Sequence, residues 1–178
     1  LCITAANACF DEPKQKLMEY CIENLNDLVK VAEEENVILL LGTVMGMDSP
    51  CNASTPIVLT VDEVAEIIEQ IGSSYLAAYA DTQVLSIRGE SLTDWFDRLG
   101  EKVRLVRFTD GNYNGYRIWG KGVLPAEKLA EEIYRTGFNG LISFQIPGER
   151  YCENPKDAQK QNHFRALSAW REVMDCQR

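Results

Sequence analysis

Five short apolar runs, each followed by a longer and more polar segment, restrict the fold of this chain more than any other feature of its sequence. They occupy residues 2 to 5, 37 to 41 (VILLL), 75 to 80 (YLAAYA), 103 to 108 (VRLVRF) and 141 to 145 (LISFQ). Runs that are apolar throughout, rather than at alternate positions, are expected of parallel strands covered on both faces. The segments between them carry apolar residues three and four apart, the spacing of amphipathic helices. Strand, loop and helix in repeated succession predict an α/β protein built from parallel β/α units, with about five strands.

The helical segments have legible ends. Between residues 13 and 35, Leu17, Cys21, Leu25, Leu28, Val29 and Ala32 fall on one stripe, and Asn36 is a plausible stop. Thr60 with Glu63 three residues on forms a capping box, and that helix is expected to end at Gly72. A shorter helix from Ser91 closes at Gly100, another begins with Pro125 in its first turn and stops at Gly137, and the last covers residues 157 to 175. The loops that follow the strands are longer and more polar than those that precede them, so the carboxyl ends of the strands are where a site is expected. No linker or compositional break divides the chain, which predicts a single domain over residues 1–178.

The charge balance narrows the partners. With 27 acidic and 18 basic residues the net charge is −9, which disfavours a nucleic-acid backbone or an anionic membrane surface. No apolar run approaches the roughly 18 residues of a membrane span, and the start shows no basic segment followed by an apolar one. The expectation is a soluble, cytoplasmic protein with a small-molecule or protein partner. Cys2, Cys9, Cys21, Cys51, Cys152 and Cys176 are scattered without a CxxC pair and read as reduced thiols. Asn52-Ala53-Ser54 matches a glycosylation acceptor, a triplet too short to carry weight alone.

The order of motifs LTVDEVAEII, YLAAYADT, LGEKVRLVRFTDGN, GKGVLP and LAEEIYRTGFNGLISFQIPG resembles the xylose isomerase-like TIM barrels. That family includes sugar and sugar-phosphate isomerases and epimerases and endonuclease IV. The resemblance implies that Cys2 begins the fourth of eight strands, so the chain holds strands four to eight of an incomplete barrel. A complete barrel usually needs about 250 residues, and Leu1 in place of methionine agrees with a chain whose front lies elsewhere. Five strands leave two edges open, to be covered by an N-terminal segment or by self-association.

The family implies a divalent metal such as Mn, Mg or Co that polarises a sugar carbonyl and hydroxyl. Its ligands are a glutamate after strand five, an aspartate after strand six, a histidine at the end of strand seven and a glutamate after strand eight, the two glutamates also shuttling the proton in epimerases. Here those positions carry Gly42, Asp81, Arg107 and Gln145, and Val84 stands where a further histidine is common. Glycine offers no donor atom and arginine brings a fixed charge without a lone pair. The expectation is therefore no metal cofactor, with a site improvised from Asp81, Asp110 and Glu149 as the alternative.

The residues expected to bind substrate are Asp81, Arg107, Gln145, Arg117 and Asp110, and none is assigned as catalytic. Each has a plainer reading. Asp81 caps a turn; Arg107 forms a buried ion pair with Asp81; Gln145 is a satisfied amide in the same network; Arg117 packs on Tyr116 or Trp119. Gly120-Lys121-Gly122 is either a phosphate cradle or a turn, and His163 reads as structural. Three functions follow: a family member that binds a sugar, sugar acid or sugar phosphate without the usual metal-dependent catalysis; an active aldose-ketose isomerase or ketose 3-epimerase with a remodelled site; or a structural fragment of a larger barrel.

Overall fold

The computed structural model describes residues 1–5, 7–9, 12–44 and 54–176. Asn52, Ala53 and Cys51 lie outside the described residues, as do residues 45–50 of the loop that contains them. Five parallel strands form one sheet in the order β1 (Cys2–Thr4), β3 (Leu39–Gly42), β5 (Leu76–Asp81), β6 (Val103–Arg107), β9 (Leu141–Ser143). Each strand pairs with its neighbour in sequence order, and β1 and β9 remain at opposite edges, so the sheet is an open portion of a barrel. Two antiparallel ribbons sit outside it: β2 (Asn7–Cys9) with β4 (Ser54–Pro56), and β7 (Asp110–Asn112) with β8 (Gly115–Arg117).

The helices form where periodicity and caps place them. Helix α1 (Lys14–Glu34) ends with Asn36 in the left-handed region at φ 52°. The amide of Asn36 donates to the Glu33 carbonyl and that of Val37 to the Ala32 carbonyl, the paired bonds of a Schellman closure. Val37 is therefore engaged in ending the helix, and β3 begins at Leu39 rather than at residue 37. Leu28, counted on the apolar stripe, is exposed; Leu25, Val29 and Ala32 are the residues that bury. Helix α2 (Val61–Ile71) has the expected Thr60–Glu63 capping box and ends at Gly72 with φ 68°.

A seven-residue helix, α3 (Thr82–Arg88), occupies what reads in sequence as loop, and α4 (Leu92–Leu99) follows it. Pro125 is the N-cap of α5 (Ala126–Arg135) rather than a member of its first turn, and α6 (Pro155–Cys176) completes the chain.

The helices cover one face of the sheet. Leu41, Ala78, Ala80 and Val106 meet Val64, Ile67, Ile68, Trp95, Ile133 and Ala166 there in a continuous core. The other face carries a small cluster of Leu40, Ala77 and Tyr79, flanked by Cys2 and Leu105. Coverage on both faces is thus only partly met, and Leu141 at the β9 edge is 69% exposed. On a barrel this second face points inward, and its carboxyl end brings Asp81 and Arg107 side by side as register partners of β5 and β6. No described helix is long and apolar enough to cross a membrane.

Candidate functional site

Asp81 ends β5 and caps α3. Its Oδ1 accepts from the amides of Gln83 (3.1 Å) and Val84 (3.3 Å) and from the Thr109 hydroxyl (2.7 Å). Its Oδ2 accepts from the Tyr116 hydroxyl at 2.9 Å. Thr109 is itself fixed: its amide donates to Thr82 Oγ1 at 2.8 Å, and Thr82 Oγ1 donates to the Thr109 carbonyl at 2.6 Å. The carboxylate is only 3% exposed. Burial pushes its pKa above the ordinary aspartate value, against the opposing hydrogen bonds from Thr109, Tyr116 and Val84 and the Arg107 charge.

A raised folded-state pKa makes the carboxyl group favour folding below its ordinary value of 3.8 and withdraws that contribution as pH climbs through the folded value. Asp81→Asn keeps an oxygen for the two amides and lets the Tyr116 hydroxyl turn from donor to acceptor. The stability of this variant relative to the native chain is expected to improve between about pH 4 and about pH 7. Urea unfolding at both values measures it, and a difference independent of pH overturns the assignment.

Arg107 does not form the ion pair expected with Asp81. Tyr116 and Thr109 have taken the carboxylate, and the guanidinium of Arg107 instead lies over the Tyr79 ring, 4.4 Å from its centroid. Burial acts against the Arg107 charge, but the groups of Tyr79, Cys2 and Asp81 around it outweigh that effect and raise its pKa. Tyr79 is pushed up to about 12, mainly by burial. Its ring occupies the space beside Gly42, where an added Cβ would stand 2.4 Å from Cζ of the ring.

Asp110 is enclosed at 1% exposure. Its Oδ1 accepts from the amides of Gly111 (2.7 Å) and Leu124 (3.1 Å), and its Oδ2 from those of Gly120 (3.0 Å) and Gly122 (2.9 Å). The amides of the Gly-Lys-Gly segment thus cradle an internal carboxylate in place of a phosphate. Arg117 is half-buried and lines a cavity with Lys121 and Arg150, on the opposite side of β8 from the Tyr116 hydroxyl. Gln145 stands two residues beyond β9, exposed and outside the Asp81 network. His163 is exposed on α6, edge-on to Phe144 at 5.6 Å.

The structure therefore joins Asp81 and Arg107 at one end of the sheet and gives Asp110, Arg117 and Gln145 separate places. Thr109, Tyr116 and Tyr79 belong to the site although sequence alone did not single them out. The signal for part of this was present: an aspartate two and three residues before helix-forming amides is an N-cap pattern.

The chain has relatives among sugar epimerases. It is 26% identical over 171 residues to fructoselysine 3-epimerase of Escherichia coli O157:H7, covering 93% of this chain and 59% of that protein. The chain thus spans 59% of the length of the first curated relative it matches. The fold superposes on a D-tagatose 3-epimerase-like protein with a TM-score of 0.79 at 15% identity, over 99% of this chain and 64% of the other. It also superposes on the IOLI protein with a bound zinc atom, with a TM-score of 0.78 at 14% identity, over 97% and 63% of the two chains.

That zinc corrects the expectation of no metal cofactor, because a protein of this fold holds one. At the four positions that the family resemblance implies for metal ligands, Asp81 is the one carboxylate, beside Gly42, Arg107 and the exposed Gln145. The described residues contain no group of three His, Cys, Asp or Glu side chains arranged to hold an ion, the combination of Asp81, Asp110 and Glu149 included. Residues 3–170 match the family described as xylose isomerase-like TIM barrel, and with the open parallel sheet and its carboxyl-end cluster of Asp81 and Arg107, this places the chain in that family.

Proposed function

We propose that this chain supplies the sugar-binding mouth of an epimerase- or isomerase-type barrel, with Arg107 as the principal contact to the ligand. The observation that carries the reading is the half-buried Arg107 guanidinium, held over the Tyr79 ring at the carboxyl end of β6 and without a carboxylate partner within ion-pair distance. Its N–H groups suit the adjacent oxygens of a ketose or a sugar acid. Asp81 acts behind it by holding Tyr116 and Thr109 in place, Asp110 organises the loop, and Gln145 is available at the rim.

Edge cover for β1 and β9, by a further segment of chain or by a second copy, belongs to the same reading. So does a cytoplasmic location, which agrees with Cys2, Cys21, Cys152 and Cys176 being free thiols.

A second reading, ketose 3-epimerisation, is favoured by the 3-epimerase among the relatives. It requires proton-transferring groups on both sides of the reacting carbon. Gly42 and Gln145 do not supply such a pair, so the groups would come from elsewhere in the assembled protein.

Calorimetric titration with D-fructose and D-psicose, with and without added Mn or Zn, tests both readings. Arg107→Ala is expected to weaken binding by about tenfold or more, the scale of a lost hydrogen-bonded charge. Equal affinity in the variant overturns the role of Arg107, and conversion of one ketose into the other selects the second reading.

A further inference from the structure

We infer that the cavity between β8 and the first turns of α6 is a binding site for a phosphoryl group. This goes beyond the sugar-binding reading and rests on different residues, on the side of the β7–β8 ribbon away from Asp81. The cavity holds about 660 Å³ and is lined by Arg117, Lys121 and Arg150, with Asn154 and Gln161 adding neutral donors. A space of that size admits a phosphorylated monosaccharide.

Three cations converge here in a chain of net charge −9. Some cations elsewhere are matched: Arg98 meets Asp62 and Glu69, Arg165 meets Glu127, Arg135 meets Glu131. Among the described residues, Arg117, Lys121 and Arg150 have no carboxylate within ion-pair distance. The cavity's one carboxylate, Asp157, accepts from Asn154 Nδ2 at 2.6 Å as part of the cap of α6. Three like charges share one wall, where a bound anion would relieve their mutual repulsion.

The cations are also held in place. Arg150 donates to the Asn114 carbonyl at the tip of the ribbon. Lys121 sits between Gly120 and Gly122, whose amides are tied to Asp110. The internal carboxylate thus takes the loop amides and leaves the lysine side chain facing the cavity. Asn154 caps α6, with the Ala158 amide donating to its carbonyl at 3.2 Å, so the positive end of a 22-residue helix faces the same space. A dianion with several acceptor oxygens matches this wall better than a neutral sugar does.

Titration calorimetry at constant ionic strength with inorganic phosphate, D-fructose 6-phosphate and D-fructose tests the inference. Inorganic phosphate is expected to bind saturably to the native chain. Its Kd should rise about tenfold or more in Lys121→Ala/Arg150→Ala, and by a smaller factor in Lys121→Ala alone. Both side chains are exposed and the double variant loses one surface hydrogen bond, from Arg150 to the Asn114 carbonyl, so the midpoint of thermal unfolding without ligand should shift only slightly.

Arg107→Ala is expected to leave phosphate affinity intact, which separates this site from the mouth. Tighter binding of D-fructose 6-phosphate than of phosphate identifies a sugar phosphate as the ligand, and equal binding identifies free phosphate. No saturable phosphate binding by the native chain, an unchanged Kd in the double variant, or loss of phosphate binding in Arg107→Ala overturns the inference.

Discussion

Asp110→Ala is expected to lower the stability of the fold by about 3–5 kcal/mol. The carboxylate accepts four backbone N–H groups, from Gly111, Gly120, Gly122 and Leu124. A net contribution of about 1.5–3 kcal/mol for each hydrogen bond to a charged group would sum to more than the expected loss. The loop relaxes, however, and water reaches some of the freed amides, while removing a buried charge recovers part of its desolvation cost. Asp110→Asn should restore less than half of the loss, because the amide keeps one acceptor oxygen and turns an NH₂ group toward donors. Urea unfolding of the three proteins measures the series, and a loss below about 1 kcal/mol for the alanine variant would contradict this account.

The consequence reaches the neighbouring surface. Gly122 has no room for a side chain, since an added Cβ would lie 2.0 Å from Asp110 Oδ1 and 2.5 Å from the Gly111 amide nitrogen. Of the two glycines that resemble a ligand cradle in sequence, Gly122 is thus explained by the approach of backbone to an internal carboxylate, and Gly120 by its left-handed backbone at φ 84°. Lys121 between them keeps its charge directed outward, to the cavity it shares with Arg117 and Arg150.

What the sequence disclosed follows from what is local. The capping box at Thr60, the left-handed Gly72 and Asn36, and the central apolar strands are set by neighbours within one or two turns, and these were legible. The β7–β8 ribbon was not, because its three-residue strands have no periodicity to show. They are held by Asp110 in β7 and by the Tyr116 hydroxyl of β8 on Asp81, a contact that spans 35 residues.

Helix α3 was hidden for a related reason. Its seven residues are too few for an amphipathic pattern, though its caps, Asp81 and the left-handed Gly89, were in plain view. The site shows the same division. Adjacency of Asp81 and Arg107 followed from aligning two strands, but their partners depended on Tyr116, Thr109 and Tyr79, which come from a ribbon, a strand end and the sheet's second face.

Gly42 was legible only as a missing ligand, and its structural role leads to the other large effect. Gly42→Ala should cost about 2–4 kcal/mol, because the new methyl group would stand 2.4–2.8 Å from three atoms of the Tyr79 ring. A tyrosine on an open surface would swing aside at little cost. This one is 2% exposed, packs with Leu40 and Ala77, and carries Arg107 on its face. Any displacement breaks packing and the cation–ring contact together. Tyr79→Ala alone should cost about 3–5 kcal/mol through the cavity it opens. In that background the space beside Gly42 is empty, so adding Gly42→Ala should change stability by less than about 1 kcal/mol, a large coupling between the two positions. Additive losses would show that ring and glycine are energetically independent. A strong coupling joined to weaker ketose binding in both single variants would show that the ring fixes Arg107 for the ligand, so that the glycine which removes one donor from the mouth is also the residue that lets a cation be held there.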